Sequence, residues 1–185
     1  MTFTSEMYPG VHTDVTSQTQ GFVLNHTMLR VRDPAISLDF YTRVMGMRLL
    51  RKLDFPEMKF SLYFLARIAE GETVPTDEGE RTAWTFSQRA VLELTHNWGT
   101  ETDLACKYHD GNAQPQGFGH ICFSVPDLTA AVQWFDENEV SYVKRPEQGK
   151  MKNVAFIKDP DGYWIEILQP SLLKNLGLPS DQQQR

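Results

Sequence analysis

The sequence predicts an α+β protein that contains two tandem βαβββ modules. The first observation is an internal repeat. In residues 25–33 and again in residues 117–127, a histidine opens a strand-like run and an aspartate follows it seven positions later. The second observation is that each copy is followed by a helix-like segment and three further strand-like segments. The third is a glutamate in the last strand of each half, Glu93 and Glu166. We interpret the halves as a tandem duplication.

Length and composition restrict the class of protein. The 185 residues are enough for two small modules with a sizeable core, and 41% hydrophobic and 23% charged residues are typical of globular chains. A net charge of −6 argues against nucleic acid or an anionic membrane as the main partner. No apolar run reaches the ~20 residues that span a bilayer, and residues 1–20 lack the apolar centre of a signal peptide.

The two cysteines indicate a compartment. Cys106 and Cys122 are too few for a disulfide framework, and we interpret them as free thiols in a reducing environment. Cys122 lies in an apolar run, which favours a buried structural thiol over a catalytic one. We therefore expect an intracellular, cytoplasmic protein.

The first module is expected to span residues 21–100, after a polar, flexible arm at 1–20. Its first strand covers residues 21–31. Asp33 and Pro34 are typical of a helix start, as N-cap and first helical residue. Apolar residues at helical spacing are predicted to share one side of this helix, which Gly46 ends: Ile36, Phe40, Val44 and Met45.

The rest of the first module is predicted as three strands and an insertion. Residues 47–53 and 59–67 are strand-like, with a turn between them. Residues 68–82 are acidic and contain glycine and proline, so we interpret them as a surface insertion. The last strand covers residues 90–95.

The second module is expected at residues 117–170, after a linker at 101–116 and before a tail at 171–185. Asp159-Pro-Asp-Gly162 is a strong turn pattern before the last strand. The predicted elements are a strand at 119–125, a helix that carries Leu128, Val132 and Phe135, and strands at 141–144, 155–157 and 163–168.

Glu93 and Glu166 each lie between two aliphatic residues. Alternation along a strand places each carboxylate on the face opposite those aliphatics, and an unpaired buried carboxylate is costly. Alone, either glutamate fits a solvent-facing position, and His26 or His120 fits an ordinary polar position. Placed equivalently in two halves, two imidazoles and two carboxylates suggest a mixed N/O site for zinc, nickel, cobalt or iron(II).

Longer motifs carry a family resemblance over residues 22–170. The chain resembles glyoxalase I (lactoylglutathione lyase) of the vicinal-oxygen-chelate superfamily. The most specific stretches are Thr27-Met-Leu-Arg-Val31, Ser37-Leu-Asp-Phe-Tyr-Thr-Arg-Val44, Asp54-Phe-Pro56, Met58-Lys-Phe-Ser-Leu-Tyr-Phe-Leu65, Leu92-Glu-Leu-Thr-His-Asn-Trp-Gly-Thr100, Gly117-Phe-Gly-His-Ile121 and Asp159-Pro-Asp-Gly-Tyr-Trp-Ile-Glu-Ile-Leu168.

The resemblance implies a fold, a reaction and a set of metal ligands. It implies eight-stranded clefts and a homodimer whose sites combine the first half of one chain with the second half of its partner. One divalent metal per site would be held by His26, Glu93, His120 and Glu166. The substrate would be the hemithioacetal of glutathione and methylglyoxal, a 2-oxoaldehyde, and the product S-D-lactoylglutathione. Glu166 is the expected base, with Glu93 as its companion.

The resemblance also implies substrate contacts. The two carboxylates of glutathione require cationic or amide donors. Arg30 and Asn97 correspond to the γ-glutamyl end, and Lys144 with the Lys150–Met151 loop to the other end. Without the resemblance, the two lysines are typical of solvated surface charge. The apolar pocket would draw on Phe55, Leu62, Phe64, Met151 and Phe156.

Two departures from the family pattern bear on metal and substrate. Zinc-type eukaryotic members commonly carry glutamine at the position of His26. Shorter, nickel-preferring bacterial forms carry histidine there, as this chain does. The insertion at 68–82 and the arm at 1–20 instead resemble the zinc class, so we expect Zn²⁺, with Ni²⁺ as the alternative. Gln116 replaces an arginine that, in related zinc enzymes, helps to hold the γ-glutamyl carboxylate. This predicts weaker glutathione binding than in those relatives, or a substitute cation elsewhere.

Two rival functions use the same architecture. An extradiol-dioxygenase-like iron(II) enzyme needs two histidines, one carboxylate and open positions for oxygen. The fourth ligand, Glu93, and the Lys150–Met151 loop argue against it. A drug-sequestering module would use the fold without a metal, and the four ligand-type residues argue against that.

Overall fold

The computed structural model describes residues 8–12 and 16–177, so the predicted arm at 1–20 and tail at 171–185 lie partly outside the described residues. Short 3₁₀ turns occur at Ser17–Thr19 and Pro170–Leu173. The principal elements are β1 (His26–Arg30), α1 (Pro34–Asp39), β2 (Arg48–Phe55), β3 (Phe60–Ala66), α2 (Glu78–Ser87), β4 (Val91–Asn97), β5 (Ile121–Ser124), α3 (Leu128–Glu137), β6 (Tyr142–Lys144), β7 (Val154–Lys158) and β8 (Trp164–Leu168).

The strands form two four-stranded mixed sheets of the same topology. Their orders are β1-β4-β3-β2 and β5-β8-β7-β6. In each sheet the first and last strands of the module pair in parallel, and the other neighbours are antiparallel. This confirms the predicted α+β class with two βαβββ modules. Both sheets lie within the module boundaries that we propose, 21–100 and 117–170.

The strand faces follow the predicted alternation. Leu92 and Leu94 in β4 belong to the apolar core, and Glu93 between them lies on the opposite face. In β8, Ile165 and Ile167 are fully buried and flank Glu166 in the same way. Each sheet therefore has one face for the core and one face for a carboxylate.

Helix α1 begins as predicted, but its continuation and its buried side differ from the prediction. The Asp33 carboxylate accepts a hydrogen bond from the Ala35 N–H at 2.9 Å, which caps the helix. After α1 the chain makes one π-helical turn, Phe40–Val44. The prediction that Ile36 shares one side with Phe40 and Val44 was wrong, since Ile36 is 50% exposed and the other two are buried. Ser37 is buried instead, because its hydroxyl donates to Asp161 of the second module.

The two modules share the larger core. Side chains from both sheets and from α1 and α3 belong to it. Polar contacts reinforce the junction: the Tyr41 hydroxyl donates to Asp159 at 2.9 Å, and the Trp134 indole N–H donates to the Val44 carbonyl at 2.9 Å. Contact between the modules therefore stabilises both of them.

The acidic insertion is more structured than a surface loop. Its last residues form the first part of α2, which continues to Ser87 and which Asp77 caps by accepting a hydrogen bond from the Glu80 N–H. Trp84 of α2 packs against a second core of Leu50, Phe64, Ala66 and Val91. Phe64 pairs with Glu93, so α2 covers part of the face opposite the shared core. The Asp77-x-x-Glu80 pattern of a capping box signals this helix in the sequence.

Asp159 makes the junction sensitive to pH. Burial raises the pKa of Asp159 to about 6, although hydrogen bonds from Tyr41 and the Tyr163 N–H act in the opposite direction. A carboxyl whose ordinary pKa is about 3.9 then binds its proton more tightly in the folded chain. Its contribution to stability is therefore fully present below about pH 4 and is lost as the pH rises through about 6.

We expect Asp159→Asn to remove this pH-dependent contribution. Urea denaturation at several pH values should show the free energy of unfolding of the wild type falling, relative to that of the variant, between pH 4 and 6. Asp136→Asn is the control, because the exposed pair with Arg145 lowers the pKa of Asp136 and gives the opposite sign. If the free energy of unfolding of the wild type instead rose with pH relative to that of Asp159→Asn, the prediction would be contradicted.

Candidate metal and substrate site

The first His–Glu pair lies across the parallel strands β1 and β4. His26 opposes Val91, and Met28 opposes Glu93. The Nε2 atom of His26 is 3.0 Å from Oε2 of Glu93. Thr95 donates a hydrogen bond to the other carboxylate oxygen at 3.0 Å. The Glu93 residue is only 9% exposed, so its carboxylate is held in a largely buried position.

The second pair repeats this arrangement in the other module. His120 directly precedes β5, and its Nε2 atom is 3.2 Å from Oε2 of Glu166 in β8. The Phe156 ring makes an edge contact with His120, at 5.2 Å between centroids. The second pair is more exposed than the first, with side-chain exposures of 38% and 18% against 33% and 11%.

Both pairs have the separation that a metal ion requires. Two ligands at the usual zinc–nitrogen and zinc–oxygen lengths are about 2.9–3.5 Å apart when they occupy neighbouring positions around one ion. Imidazole nitrogen and carboxylate oxygen also suit zinc and nickel. Within residues 8–12 and 16–177, no three His, Cys, Asp or Glu side chains form a metal-binding group. A four-ligand centre therefore needs both pairs.

The predicted contacts of the first module share the face of Glu93. Phe64 pairs directly with Glu93, and Leu62 and Arg30 both pair with Thr95, two residues further along. The same alternation puts Asn97 on this face, opposite Phe60 of β3. Phe55 belongs to the same surface, and its ring stacks on that of Phe60 with centroids 4.7 Å apart.

The predicted contacts of the second module are only partly assembled. Phe156 pairs with Glu166, and Lys144 pairs with Phe156. The Lys144 amine donates to the Val154 carbonyl at 2.5 Å, and burial lowers the pKa of Lys144. Lys150 and Met151 lie exposed in the loop between β6 and β7, so their contact with substrate stays a prediction.

Cys122 differs from its predicted environment. The thiol is exposed, because β5 is an edge strand and Cys122 lies on the same face as its neighbour Glu166. Partial burial and the nearby Glu166 carboxylate raise the pKa of Cys122 to about 11. The thiol is therefore protonated at neutral pH and is a poor nucleophile.

Residues that sequence reasoning missed support the first pair. Asn25 lies 2.7 Å from the second ring nitrogen of His26. The Phe86 ring of α2 makes edge contacts with His26 and Phe64, at centroid distances of 6.3 and 5.0 Å. Only the adjacency of Asn25 to His26 and the capping box of α2 could have indicated these roles.

The loop after Asn97 is fixed by two sets of hydrogen bonds. A carboxylate oxygen of Glu101 accepts from the Gly99 N–H at 2.8 Å and lies 2.7 Å from Nε2 of the buried His96. The Trp98 indole N–H donates to the Ser61 hydroxyl at 2.9 Å, which in turn donates to Asp54. These bonds hold the backbone that positions Asn97.

The cavities do not coincide fully with the paired residues. A cleft of about 650 Å³ between β1 and β5 is lined by both His26 and His120. A larger cavity of about 760 Å³ lies where α1 meets the β7–β8 turn and contains neither pair. We locate the site by the His–Glu pairs, because their chemistry and not cavity size defines a metal centre.

The fold and the paired residues define a class. A sequence model of the Glyoxalase/Bleomycin resistance protein/Dioxygenase superfamily matches residues 23–167. A lactoylglutathione lyase of Pseudomonas aeruginosa is 58% identical over 177 residues, which cover 96% of this chain and 99% of the relative. One from Pseudomonas putida is 54% identical, covering 89% and 95%. A Leishmania major glyoxalase I structure has a TM-score of 0.60 and 31% identity, covering 87% and 96%.

The chain belongs to this superfamily and, within it, to the lactoylglutathione lyase (glyoxalase I) family. The resemblance inferred from the sequence motifs is thereby confirmed. Within the parts of the chain that the structure describes, no helix is both long and apolar enough to cross a membrane.

We expect Ser61→Ala to loosen the loop that carries Asn97. The variant leaves the Trp98 indole N–H without its acceptor, and Ser61 is only 3% exposed. The free energy of unfolding, measured in urea, should fall by about 1–2 kcal/mol. Ser124→Ala on exposed β5 is the matched control and should change it by less than about 0.5 kcal/mol. Equal effects of the two variants would argue against a structural role for the Ser61 network.

Proposed function

We propose that this chain is a metal-dependent lactoylglutathione lyase. It isomerises the hemithioacetal of glutathione and methylglyoxal to S-D-lactoylglutathione, and thereby detoxifies methylglyoxal. The observation that carries the proposal is the His26–Glu93 contact and its repeat at His120–Glu166, in a chain of this family.

The reaction moves a proton between neighbouring carbons of the substrate. Removing the proton from C1 leaves an enediolate, whose negative charge must be stabilised. A divalent cation supplies this stabilisation as a Lewis acid without a change of redox state. The protein must then provide a carboxylate that takes the proton from C1 and returns it to C2. The C1 hydroxyl proton passes to the oxygen on C2, so that C1 ends as the thioester carbonyl and C2 carries the hydroxyl.

Glu166 is our choice for this base. Its carboxylate is more exposed than that of Glu93, whose Oε1 atom is already occupied by the hydroxyl of Thr95. The more exposed carboxylate is the more accessible one to the substrate proton that the base must take up and return. Glu93 acts as the companion on the opposite face of the substrate or on the other hemithioacetal epimer.

Glutathione binds between polar residues at both ends and an apolar middle. Arg30 and Asn97 would hold the γ-glutamyl end, and their position on the face of Glu93 supports this. Lys144 and the loop with Lys150 and Met151 would hold the other end. The residues proposed to surround the reacting part of the substrate are Phe55, Leu62, Phe64, Met151 and Phe156.

The metal that we propose is Zn²⁺, with Ni²⁺ as the alternative. The donor set of two imidazole nitrogens and two carboxylate oxygens fits either ion. The insertion at 68–82 and the arm at 1–20 support zinc, because they resemble the longer, zinc-activated members of the family. His26 in place of glutamine supports nickel.

We further propose that the active enzyme is a homodimer. In the described part of the chain, the proposed ligands form two separate pairs. A complete centre needs all four ligands. One chain supplies His26 and Glu93, and its partner supplies His120 and Glu166. Joining the two functional faces would also form the expected eight-stranded cleft. A cytoplasmic location fits the free cysteines and a glutathione-derived substrate.

Metal reconstitution tests the activity. The chelator-stripped protein should not form thioester from methylglyoxal and glutathione, and adding Zn²⁺ or Ni²⁺ should restore it, because the enediolate requires a Lewis acid. Co²⁺ and Fe²⁺ are added singly as comparisons. Thioester absorbance and the melting temperature are followed together. If the protein remains folded and no metal restores activity, the lyase proposal fails. A metal-free, drug-sequestering function would then be favoured.

Mixed chains test the arrangement of the sites. A His26→Ala homodimer and a His120→Ala homodimer should both be inactive, because each damages every site. When the two variants are refolded together, one of the two sites in each mixed dimer regains all four ligands. About a quarter of the wild-type activity should then return. Sites formed within single chains would not regain activity on mixing. If verified mixed dimers are inactive, the proposal that each site is shared between two chains is contradicted.

A further inference from the structure

Asn25 connects a proposed metal ligand, His26, to helix α2. Its side-chain oxygen lies 2.7 Å from Nδ1 of His26. Its side-chain nitrogen donates to the Thr85 carbonyl at 3.0 Å and to the Gln88 carbonyl at 2.8 Å. Both acceptors lie at the C-terminal end of α2, where the Thr85 carbonyl also accepts from the Gln88 N–H at 3.3 Å.

These contacts determine which way the amide of Asn25 points. Only the NH₂ group can donate to two carbonyl oxygens, so the oxygen of Asn25 must face His26. That oxygen can only accept, and Nδ1 of His26 therefore carries the hydrogen. A neutral imidazole has a single N–H, so Nε2 is left with its lone pair.

The lone pair of Nε2 is directed toward Glu93. The two atoms are 3.0 Å apart, and neither a lone pair nor a carboxylate oxygen supplies a hydrogen to the contact. A proton or a metal cation between them is required to make the contact favourable. A histidine that binds a metal through one nitrogen usually donates its other N–H to an oxygen in this way.

Helix α2 restrains the same ring from a second direction. Phe86 makes an edge contact with the His26 ring, at 6.3 Å between centroids. Thr85, whose carbonyl holds Asn25, is fully buried, which fixes this end of the helix. The C-terminal end of α2 therefore holds both the hydrogen-bond partner and one side of the imidazole.

The second module lacks this arrangement. Gly119 occupies the position before His120 and has no side chain to accept a hydrogen bond from the ring. Its carbonyl instead accepts from the side chain of Asn112 at 2.7 Å. Support of this kind is therefore specific to the first half of the chain.

We propose that Asn25 is a positioning residue for the metal centre. It fixes His26 in the form whose Nε2 is free to bind a metal, and it ties that ligand to helix α2. The inference rests on the metal site of the proposed function. It assigns to helix α2 a role in metal affinity.

Metal affinity is the first measurement. Chelator-stripped wild type, Asn25→Ala and Asn25→Asp are titrated with Zn²⁺ against a chromogenic chelator. Asn25→Ala should weaken zinc binding by about 10–100-fold, which is the usual effect of losing such a partner. Asn25→Asp keeps an oxygen acceptor for Nδ1 and should bind zinc within about threefold of the wild type or more tightly. Ser87→Ala alters the same helix end without contacting Asn25 and should leave the affinity unchanged.

The second measurement determines which ring nitrogen of His26 carries the hydrogen. Nitrogen-15 NMR of the metal-free protein, at a pH where His26 is neutral, distinguishes Nδ1–H from Nε2–H. The wild type and Asn25→Asp should show Nδ1–H, whereas Asn25→Ala should show a mixture or Nε2–H. Melting temperatures of the metal-free proteins should fall in both Asn25 variants, because both lose the donors to Thr85 and Gln88.

The outcomes separate the two proposals. If wild type binds neither Zn²⁺ nor, in the same titration, Ni²⁺, the metal centre of the proposed function fails, whatever the NMR result. If wild type binds zinc and Asn25→Ala binds it equally well, the positioning role is overturned. Should Asn25→Ala fail to fold, Asn25→Asp decides the question. Weak zinc binding by that variant with Nδ1–H retained would assign the effect to helix attachment and overturn the role of the ring hydrogen.

Discussion

The parallel pairing of the first and last strands in each module is the constraint on which the site depends. His26 and Glu93 are 67 positions apart, and His120 and Glu166 are 46 apart, yet both pairs come within about 3 Å. The pairing brings the starts of β1 and β5 beside β4 and β8. Because the contact crosses adjacent strands, insertions between the other elements lengthen the chain without moving the pair.

The core and the site use opposite faces of the same strands. The aliphatic neighbours of each glutamate enter a core shared by both modules, and their burial supplies most of the stabilisation. The carboxylates are thereby fixed on the other face, where a histidine offsets the cost of partial burial. A change that shifted the register of β4 or β8 by one residue would exchange these roles, so packing and chemistry constrain the same strands.

Local patterns allowed much of the fold and the paired residues to be predicted from the sequence. Alternation placed Glu93 and Glu166, and Asp33 marked the start of α1. Features that depend on tertiary contacts were missed. Ile36 is exposed because Ser37 bonds to the other module, and Cys122 is exposed because β5 is an edge strand. Such contacts have no periodicity in the sequence. The capping box of α2 was visible but was treated as part of a surface insertion.

The two halves have become chemically unequal while keeping the same topology. The first pair is the more buried one, with Thr95 on its carboxylate and Asn25 on its histidine. The second pair is more open, and Gly119 gives His120 no comparable support. A site that joins one pair of each kind combines a rigid half, suited to holding a cation, with a half whose carboxylate can exchange a proton. In the dimeric site that we propose, both pairs hold the metal, and the difference in exposure assigns the proton transfer to the second pair.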